Sequence, residues 1–371
     1  MPGQHPLTKV TIQRFMSLRS VEFEVGQLNV LIGANGAGKS NVLSFFDLLG
    51  FIQEKRLQLW MAQHGRLDRV AFGGAKQSPD FEFALEFGNG SQGYRAVIAE
   101  GTGGSAYFRS EDTWGTGTNY QQPFSLPLGQ GHAETRLYDE AVEWPNGVAA
   151  WTLASLSGCK RYHFHDTSAS AAVKQSQPTG DNAELRRDAG NLASFLLRLK
   201  ETDPGSLARI VDAVRSVAPF FDHFVLEPDP IRNDQIRLRW RHRDNDMFAD
   251  ASMLSDGTLR FICLATALLQ PNAPAVILID EPELGLHPYA VHLLAEMLQA
   301  VSVDRQIIVA TQSVTLLDQL QLDDVLVADR ADGQTVIHRP NTGDLDRWIE
   351  RYSLGELWEK NLMGGRPSSI R

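Results

Sequence analysis

The sequence predicts an α/β fold interrupted by an inserted subdomain, and three observations lead to this prediction. An apolar run at Leu28–Ile32 enters the glycine-rich stretch 33–40, and a helical pattern follows at residues 41–49. A second apolar run, at residues 276–279, ends in two acids. Roughly 240 residues separate the two motifs, far more than the connections inside a compact core require. We therefore expect the chain between them to contain an insertion.

The composition is that of a globular protein. The chain has 371 residues, of which 43% are hydrophobic and 22% charged, both ordinary values. A net charge of −10 argues against a protein covered all over by nucleic acid, although a local basic groove remains compatible with it. Because Cys159 and Cys263 are the two cysteines of the sequence, we expect no disulfide framework or zinc cluster, and the reducing cytoplasm fits.

No targeting or membrane segment is expected. The first ten residues lack the charged-then-apolar layout of a signal peptide. The longest apolar runs are too short to cross a bilayer. We therefore expect a cytoplasmic protein with no membrane partner.

The N-terminal part shows strand patterns on both sides of the first helix. Residues 10–15 and 21–25 form two short strands around a turn, as a β-meander ahead of Leu28–Ile32. Residues 81–87 alternate apolar and polar side chains, which is the period of a half-buried strand. Residues 94–98 would pair with that strand across a turn.

The middle of the chain is less regular. We interpret residues 101–131, rich in Gly, Ser, Thr and Gln, as long loops with room for one hairpin. Amphipathic patterns predict helices at 183–200 and 206–217, and a strand follows at 236–243. The final third alternates the two elements: a helix at 256–269, a strand at 276–279, a helix at 287–301, a strand at 306–310, a further helix and a strand at 325–328.

These patterns divide the chain into three expected segments. The first is an N-terminal lobe with the phosphate loop, residues 1–75. The second is an inserted β and helical lid subdomain, residues 76–245. The third is a C-terminal lobe, residues 246–371.

The glycine-rich stretch fits the phosphate-loop pattern G-x-x-x-x-G-K-[ST] at every fixed position. Glycines let successive backbone N–H groups turn toward phosphates, with a helix N-terminus behind them. Lys39 would reach the β- and γ-phosphates of ATP, and the Ser40 hydroxyl would ligate Mg²⁺. The alternative is a glycine-rich turn with an incidental lysine, which the flanking strand and helix disfavour. The candidate ATP-binding residues are Gly33, Asn35, Gly36, Ala37, Gly38, Lys39, Ser40 and Asn41.

The acids after residues 276–279 complete the candidate site. Asp280 would hold Mg²⁺ through its water shell, and Glu281 would act as general base toward the attacking water. The alternative is a buried strand whose acids cap the next helix. Ahead of it, Leu254-Ser255-Asp256-Gly257 begins an apolar helix, which alone is an ordinary helix start.

The order of these motifs resembles the ABC-type ATPase heads of the RecF, SMC and OLD-nuclease group, in particular the stand-alone predicted ATPases of the AAA family in that group. The resemblance covers essentially the whole chain. It includes further runs: Ile12-Gln13-Arg14-Phe15, Tyr162-His163-Phe164-His165-Asp166-Thr167-Ser168, Asn191 to Leu196, Glu281-Pro282-Glu283-Leu284-Gly285-Leu286-His287-Pro288, Leu354 to Trp358, and Gly364-Gly365-Arg366-Pro367.

The resemblance implies a P-loop NTPase fold of the ABC-head type and a mechanism. Two copies would enclose two ATP molecules as a homodimer, with Ser255 and Gly257 of one copy facing the γ-phosphate held by the other. Hydrolysis would release the dimer. The biological role of the protein would be that of a switch in DNA maintenance or in defence against foreign DNA, and it would work with a separate effector protein. Roughly 60 residues follow Ser313, too few for a nuclease domain of the OLD type.

The sequence departs from this group at two places, and one family residue has only a candidate. Phe15 is followed by Met16 where an arginine is common, so either Arg14 or Arg19 substitutes or that contact is absent. Gln312 stands where ABC heads carry a switch histidine. A neutral amide can hydrogen-bond a phosphate or water but carries no charge. We therefore expect slow turnover of ATP. Gln77 is the candidate for the Q-loop glutamine.

Weaker signals have two interpretations each. Over residues 236–243 four arginines alternate with other residues: Arg237, Arg239, Arg241 and Arg243 with Ile236, Leu238, Trp240 and His242. A strand would place all four guanidinium groups on one face. That face would contact nucleic-acid phosphates or an acidic partner, or it would be exposed to solvent and paired with nearby acids. His163, His165 and Asp166 are metal ligands or, with greater weight, hydrogen-bonding residues. His287 is expected to cap or orient its loop.

Two hypotheses for the biological role of the protein stay open. One is the DNA-directed switch, and the other is a nucleotide-sensing regulatory module that binds a protein partner without nucleic acid. A transporter motor is disfavoured by the opening strands, by the run from Glu281 to Pro288 and by the lack of a membrane segment.

Overall fold

The computed structural model describes residues 5–101, 103–116, 124–244, 248–349 and 351–365. Its strands are β1 (Leu7–Phe15), β2 (Leu18–Glu24), β3 (Leu28–Ile32), β4 (Asp80–Phe87), β5 (Gln92–Glu100), β6 (Ala106–Gly115), β7 (Phe124–Gly129), β8 (Cys159–Tyr162), β9 (Gln177–Pro178), β10 (Phe221–Val225), β11 (Gln235–Ile236), β12 (Arg239–His242), β13 (Phe248–Asp250), β14 (Val276–Asp280), β15 (Gln306–Thr311), β16 (Val325–Ala331) and β17 (Gln334–His338). Its α-helices are α1 (Lys39–Gln53), α2 (Leu57–His64), α3 (Arg66–Val70), α4 (Leu137–Glu143), α5 (Val148–Ser157), α6 (Leu192–Thr202), α7 (Pro204–Val217), α8 (Asp256–Leu269), α9 (Pro288–Ser302), α10 (Val314–Leu317), α11 (Thr342–Ile349) and α12 (Leu354–Glu359). None of these helices combines the length and apolar character needed to span a bilayer.

The first sheet is antiparallel, with the strand order β2-β1-β4-β5-β6-β7. The alternation in β4 turns its apolar side chains inward, and Phe81, Phe83 and Phe87 are completely buried. Residues 101–131, expected as long loops with room for one hairpin, contain that hairpin as β6 and β7, which are longer than the loop interpretation suggested. Small and polar residues weaken the alternating pattern there, and pairing with β5 supplies the order that the local sequence does not show.

The second sheet has the order β17-β16-β3-β15-β14-β8. It is parallel from β16 to β8, and β17 pairs antiparallel with β16. Every residue of β3 and β15 is buried, as expected for parallel strands covered on both faces. The C-terminal ends of β3, β14 and β15 meet at one edge of the sheet, so the loops that follow them are brought together.

The parallel sheet separates two hydrophobic cores. Val30 and Ile32 point into one core and Leu31 into the other. Helix α1 lies in the second core, between the two large sheets, where the Phe45 ring contacts Phe15 and Phe83 at centroid distances of 5.9 and 5.3 Å. Helices α8 and α9 cover the opposite face, and α8 has the predicted bounds.

The remaining elements differ from the prediction in two places. The helix expected at 183–200 begins only at Leu192, because the buried Asn191 amide accepts the Arg186 N–H (2.8 Å) and donates to the Asp181 and Glu184 carbonyls, which holds the preceding segment as a loop. The strand expected at 236–243 is divided: β11 pairs with β9, and β12 lies between β10 and β13.

The three-segment division of the chain stays a prediction. Its first boundary, at residue 75, falls inside one sheet, because β4 pairs with β1 along most of its length. β8, which also lies in the expected insertion, pairs with β14 of the parallel sheet.

Candidate functional site

The phosphate loop leaves β3 and ends in the first turn of α1. Gly38 is the N-cap of this helix, with φ of 107°, a left-handed conformation that side chains disfavour. A Cβ at Gly38 would also lie 2.0 Å from Thr335 Oγ1. The second fixed glycine of the motif is therefore required by both its backbone conformation and its neighbours.

Lys39 is buried within this loop. Its Nζ donates to the carbonyls of Gly33 (2.5 Å) and Ala34 (3.1 Å). Burial lowers the pKa of Lys39, and the carboxylates of Glu281 and Asp280 act in the opposite direction. The acids that end β14 thus lie within electrostatic reach of the lysine.

Two contacts from the C-terminal part of the chain support the loop. The Ala34 N–H donates to the Gly365 carbonyl (2.7 Å), and the Gly365 N–H donates to Asp329 Oδ2 (3.3 Å). Arg330 Nη1 donates to the Gly36 carbonyl (3.1 Å). The sequence offered no sign of these contacts beyond the presence of a glycine pair near its end.

An open cavity of about 740 Å³ lies beside Asn41. Arg19 lines this cavity, with its guanidinium 6.0 Å from the centre of the Phe72 ring. Arg14 instead forms an ion pair with Asp80 at 2.7 Å. Of the two arginines considered as substitutes in the opening strands, the structure therefore places Arg19 beside the phosphate loop.

Glu281 follows β14 with a positive φ of 39°, a conformation that side chains adopt rarely. Its backbone N–H donates to the Ala310 carbonyl at the end of β15 (2.8 Å). Gln312 Nε2 donates to Glu281 Oε1 at 2.7 Å. The structure thus brings together the two residues predicted as general base and switch residue.

Asp280 has two neighbours that the sequence did not single out for this role, one in β8 and one in the segment that follows it. Arg161 Nη2 donates to Asp280 Oδ2 (3.2 Å), and His165 Nε2 lies 3.0 Å from the Asp280 carbonyl oxygen. Gln77 lines the cavity beside Asn41. Gln77 as the Q-loop glutamine therefore stays a prediction.

Glu283 is a further acid at this edge. Its Oε1 accepts from Thr311 Oγ1 (2.6 Å) and from the Gln312 N–H (3.4 Å), and Oε2 is buried without a hydrogen-bond partner. Burial raises the pKa of the Glu283 carboxyl. This acid was visible in the sequence run but was given no role.

Ser255 and Gly257 open helix α8 as predicted. Ser255 is the N-cap, and its Oγ accepts the Thr258 N–H at 3.1 Å. A Cβ at Gly257 would lie 2.3 Å from the Gly285 carbonyl oxygen, so the helix start packs directly against the loop after Glu281. Among the described residues, no hydrogen bond or ion pair joins residues 254–258 to the phosphate loop of the same chain.

The sequence matches one protein family over more than half of the chain. This family is described as "AAA domain, putative AbiEii toxin, Type IV TA system", and the match covers residues 28–99 and 159–318. The chain belongs to this family. The matched residues include the phosphate loop, helix α8, and the acids and Gln312 at the sheet edge.

A curated relative of this AAA-domain protein is named "Putative ABC transporter ATP-binding protein" and comes from Methanosarcina acetivorans. The two are 35% identical over 111 residues, which is 30% of this chain and 37% of the relative. The chain thus matches little more than a third of that relative's length. The likeness is confined to that segment, whereas the family match assigns an AAA domain to this chain.

Solved structures of SMC heads share the fold. A SmcHead bound to the C-winged helix domain of ScpA matches with a TM-score of 0.59 and 15% identity, over 90% of this chain and 97% of that one. An Smc head domain with an extended coiled coil, bound to the C-terminal domain of ScpA derived from Pyrococcus furiosus, has a TM-score of 0.58 and 14% identity, over 93% and 98%. The predicted ABC-head fold is confirmed.

The oxygen donors near Lys39 fit Mg²⁺. Ser40 is exposed in the first turn of α1, and Asp280 ends β14. Mg²⁺ keeps several waters and takes few protein ligands beside phosphate oxygens. Ser40 and Asp280 would hold the ion, which supplies neutralisation of phosphate charge when bound.

The residues considered as a separate metal site have other partners in this AAA-domain protein. The rings of His163 and His165 meet edge to face at 4.3 Å. Asp166 accepts the Ser168 N–H at 3.0 Å, and hydrogen bonds from Ser168 lower the pKa of its carboxyl. His287 caps α9 by accepting the Tyr289 N–H at 3.3 Å, as expected.

The alternation around the four arginines persists although the strand is divided. Ile236, Leu238 and Trp240 are buried. Arg237 and Arg243 are exposed, and Arg239 and Arg241 are half-buried. The guanidinium groups therefore lie on the side of this segment opposite to the core.

Arg260 joins three parts of the site. This buried side chain of α8 donates from Nε to the Phe164 carbonyl (3.0 Å), from Nη2 to the His165 carbonyl (3.2 Å) and from Nη1 to the Leu284 carbonyl. Burial lowers the pKa of its guanidinium, and Asp256 opposes this. One side chain thus fixes the helix start against the segment that follows β8 and against the loop after Glu281.

We expect Arg260→Met to lower the free energy of unfolding by about 2–4 kcal/mol, because one buried and two partly buried carbonyls lose their donor. Urea denaturation measures this difference. Arg237→Met, which removes an exposed guanidinium, is the matched control and should change the free energy of unfolding by less than about 0.5 kcal/mol. Equal effects of the two substitutions would contradict the structural role of Arg260.

Proposed function

We propose that this AAA-domain protein is a slow ATPase switch that pairs two copies around two ATP molecules. The observation that carries the proposal is the N-terminus of α8. Ser255 is exposed there, and the described contacts do not tie it to its own phosphate loop. A helix N-terminus favours an anion, and a second copy would supply the phosphate.

The face around Ser255 suits association. Met253, Leu284 and Tyr289 expose 58%, 47% and 57% of their surfaces. All three lie within four residues of Gly257 or Gly285 in the sequence, and we propose that closing two copies together would bury them. Apolar burial would then add to the attraction between ATP and the two α8 N-termini.

The proposed chemistry assigns one task to each residue at the sheet edge. Lys39 would exchange its loop carbonyls for phosphate oxygens. Glu281 would take the proton of the attacking water, and Gln312 would hold the Glu281 carboxylate in position through the 2.7 Å hydrogen bond. Because Gln312 cannot add positive charge, we expect slow turnover, and phosphate release would separate the copies.

For the biological role we propose an action on nucleic acid together with a separate effector protein. The four arginines on the outer side of residues 237–243 support a polyanionic ligand. The two SMC heads of similar fold are each bound to a part of ScpA, which supports a protein partner for this chain. A regulatory module that binds a protein alone remains the alternative.

The experiment that tests the switch is a measurement of mass and turnover against enzyme concentration. Light scattering should give a monomer without nucleotide and a dimer with saturating ATP for a chain slowed by Glu281→Gln. The rate per copy of the wild-type protein should fall on dilution, because the site needs two copies. Monomers at saturating ATP, with a rate indifferent to dilution, would rule the proposal out.

A further inference from the structure

The small sheet β10-β12-β13 carries arginine and aromatic side chains on one face. Its register places His223 opposite Arg241 and Arg241 opposite Phe248. Residues opposite one another in antiparallel strands share a face, so these three form a row across the sheet. His223 exposes 46% of its side chain and Phe248 exposes 60% of its surface. The Arg241 guanidinium lies 5.9 Å from the centre of the Phe248 ring.

A second row lies beside the first. Val225, Arg239 and Asp250 are opposite one another in the same register. Arg237 and Arg243 extend the line of guanidinium groups beyond the two ends of β12. We call His223, Arg239, Arg241 and Phe248, with the flanking Arg237 and Arg243, the arginine face.

The other side of this sheet belongs to the core and fixes the orientation of the arginine face. Phe221, Phe224 and Trp240 are buried there. Their rings meet, with centroid distances of 4.8 Å between Phe221 and Phe224 and 6.0 Å between Phe221 and Trp240. Because alternate residues of a strand point to opposite faces, this packing holds the arginines outward.

The charge of the arginine face is positive although acids surround it. Asp222 forms an ion pair with His223 at 2.9 Å, and Asp250 lies opposite Arg239. Arg239 Nη2 also donates to the Glu227 carbonyl at 3.2 Å. The arginine face holds four guanidinium groups, and the carboxylates of Asp222, Asp229 and Asp250 lie beside it. Four positive charges against these three carboxylates leave a local positive excess in a chain whose net charge is −10.

We propose that the arginine face binds single-stranded nucleic acid. Guanidinium groups would contact successive phosphates, and unpaired bases would stack on Phe248 and His223. A duplex keeps its bases stacked inside, so it could use the arginines but not the rings. An acidic protein segment would likewise leave the exposed Phe248 ring unused, and the observations therefore favour the nucleic acid.

The arginine face is connected directly to the start of α8. After Asp250 the chain forms one short 3₁₀ turn, Ala251–Met253, and then reaches Ser255. The Ala251 N–H donates to the Leu238 carbonyl beside β12 (3.0 Å). A ligand that bridges β12 and β13 would hold this turn, and with it the position of Ser255. Occupation of the arginine face should therefore stimulate ATP hydrolysis, a step that rests on the proposed function.

Fluorescence anisotropy with a labelled 20-nucleotide oligothymidylate, titrated with the full chain over a series of salt concentrations, tests the binding. Arg239→Glu with Arg241→Glu should weaken binding at least about tenfold and reduce the salt slope by about 1.4, or 0.7 for each lost phosphate contact. Arg56→Glu with Arg186→Glu makes the same change in net charge on exposed side chains elsewhere. This control should leave both quantities close to those of the wild type.

A second variant separates stacking from charge. Phe248→Ala should weaken binding of the single strand about fivefold or more while leaving the salt slope unchanged. Its affinity for a duplex of the same length should not change. Because Phe248 is exposed, the substitution leaves the core intact.

Three results would overturn the proposal. The first is that the oligonucleotide does not bind at low salt. The second is that the control pair Arg56→Glu and Arg186→Glu weakens binding as much as the pair Arg239→Glu and Arg241→Glu. The third is that the duplex or polyglutamate binds at least as tightly as the single strand and that Phe248→Ala does not change the affinity for the single strand. The ATPase readout is separate. If the oligonucleotide binds but ATP is not hydrolysed under any condition, the proposed function and the coupling are refuted and the arginine face is retained. If ATP drives dimer formation but the oligonucleotide does not bind, the arginine face is refuted and the proposed function is retained.

Discussion

Glu281→Gln is expected to lower the rate of phosphate release by about 10²–10⁴-fold, the usual contribution of a general base. The substitution preserves the shape of the side chain and removes its proton acceptor. ATP binding should persist, because the Lys39 loop is unchanged, so dimers should accumulate. Single-turnover phosphate release and light scattering on the same sample measure the two effects.

Glu283→Gln is the informative companion to this substitution, because Glu283 is the other carboxyl at the same edge. Its burial and its bond from Thr311 suit a structural role, and the substitution should cost less than about tenfold in rate. Glu296→Gln, on the exposed side of α9, is the neutral control. A large loss with Glu283→Gln and a small one with Glu281→Gln would exchange the roles of the two acids.

Mixing two inactive chains should restore hydrolysis if each site is built from two copies. Lys39→Ala removes the phosphate contact, and Gly257→Ala places a Cβ against the Gly285 carbonyl; each alone should lose about 10²-fold or more in rate. In an equal mixture, half of the dimers contain one of each chain and one intact site. The recovered rate should therefore be about a quarter of the wild-type rate, on the assumption of random pairing in a symmetric dimer.

The control for this experiment is a mixture of Lys39→Ala with Glu281→Gln. Both substitutions affect the half of the site that one copy supplies, so every site stays defective and no recovery is expected. Ser255→Ala, which costs about 1 kcal/mol as a lost N-cap, replaces Gly257→Ala if that chain does not fold. Recovery in the control mixture, or none in the test mixture, would contradict a site shared between copies.

The part of the site that could be predicted from sequence is local. The phosphate loop needs glycine at Gly38 and a lysine one residue later, and these requirements are written in consecutive residues. Helix α8 has its predicted bounds because Ser255 caps it and an uninterrupted apolar pattern follows. Glu281 and Gln312 each end a buried strand, so their meeting follows from parallel neighbours in one sheet.

The unpredicted part depends on contacts between distant segments. Gly365 reaches Ala34 across nearly the whole chain, and no local pattern encodes such a pairing. Arg161 and Arg260 look like ordinary charged residues of a strand and a helix, yet each is held inside the site by partners from other elements. The late start of α6 has the same cause, since the Asn191 amide organises a loop where the apolar period continues.

The parallel sheet has a consequence for how the protein melts. Alternate side chains of β3 enter two different cores, Val30 on one side and Leu31 on the other. The two cores share the strands of the parallel sheet. If either core unfolds, these strands lose their cover on one face, and the other core loses its support. Calorimetry should accordingly record a single endotherm, and a nucleotide clasped at the end of β3 should shift all of it to higher temperature.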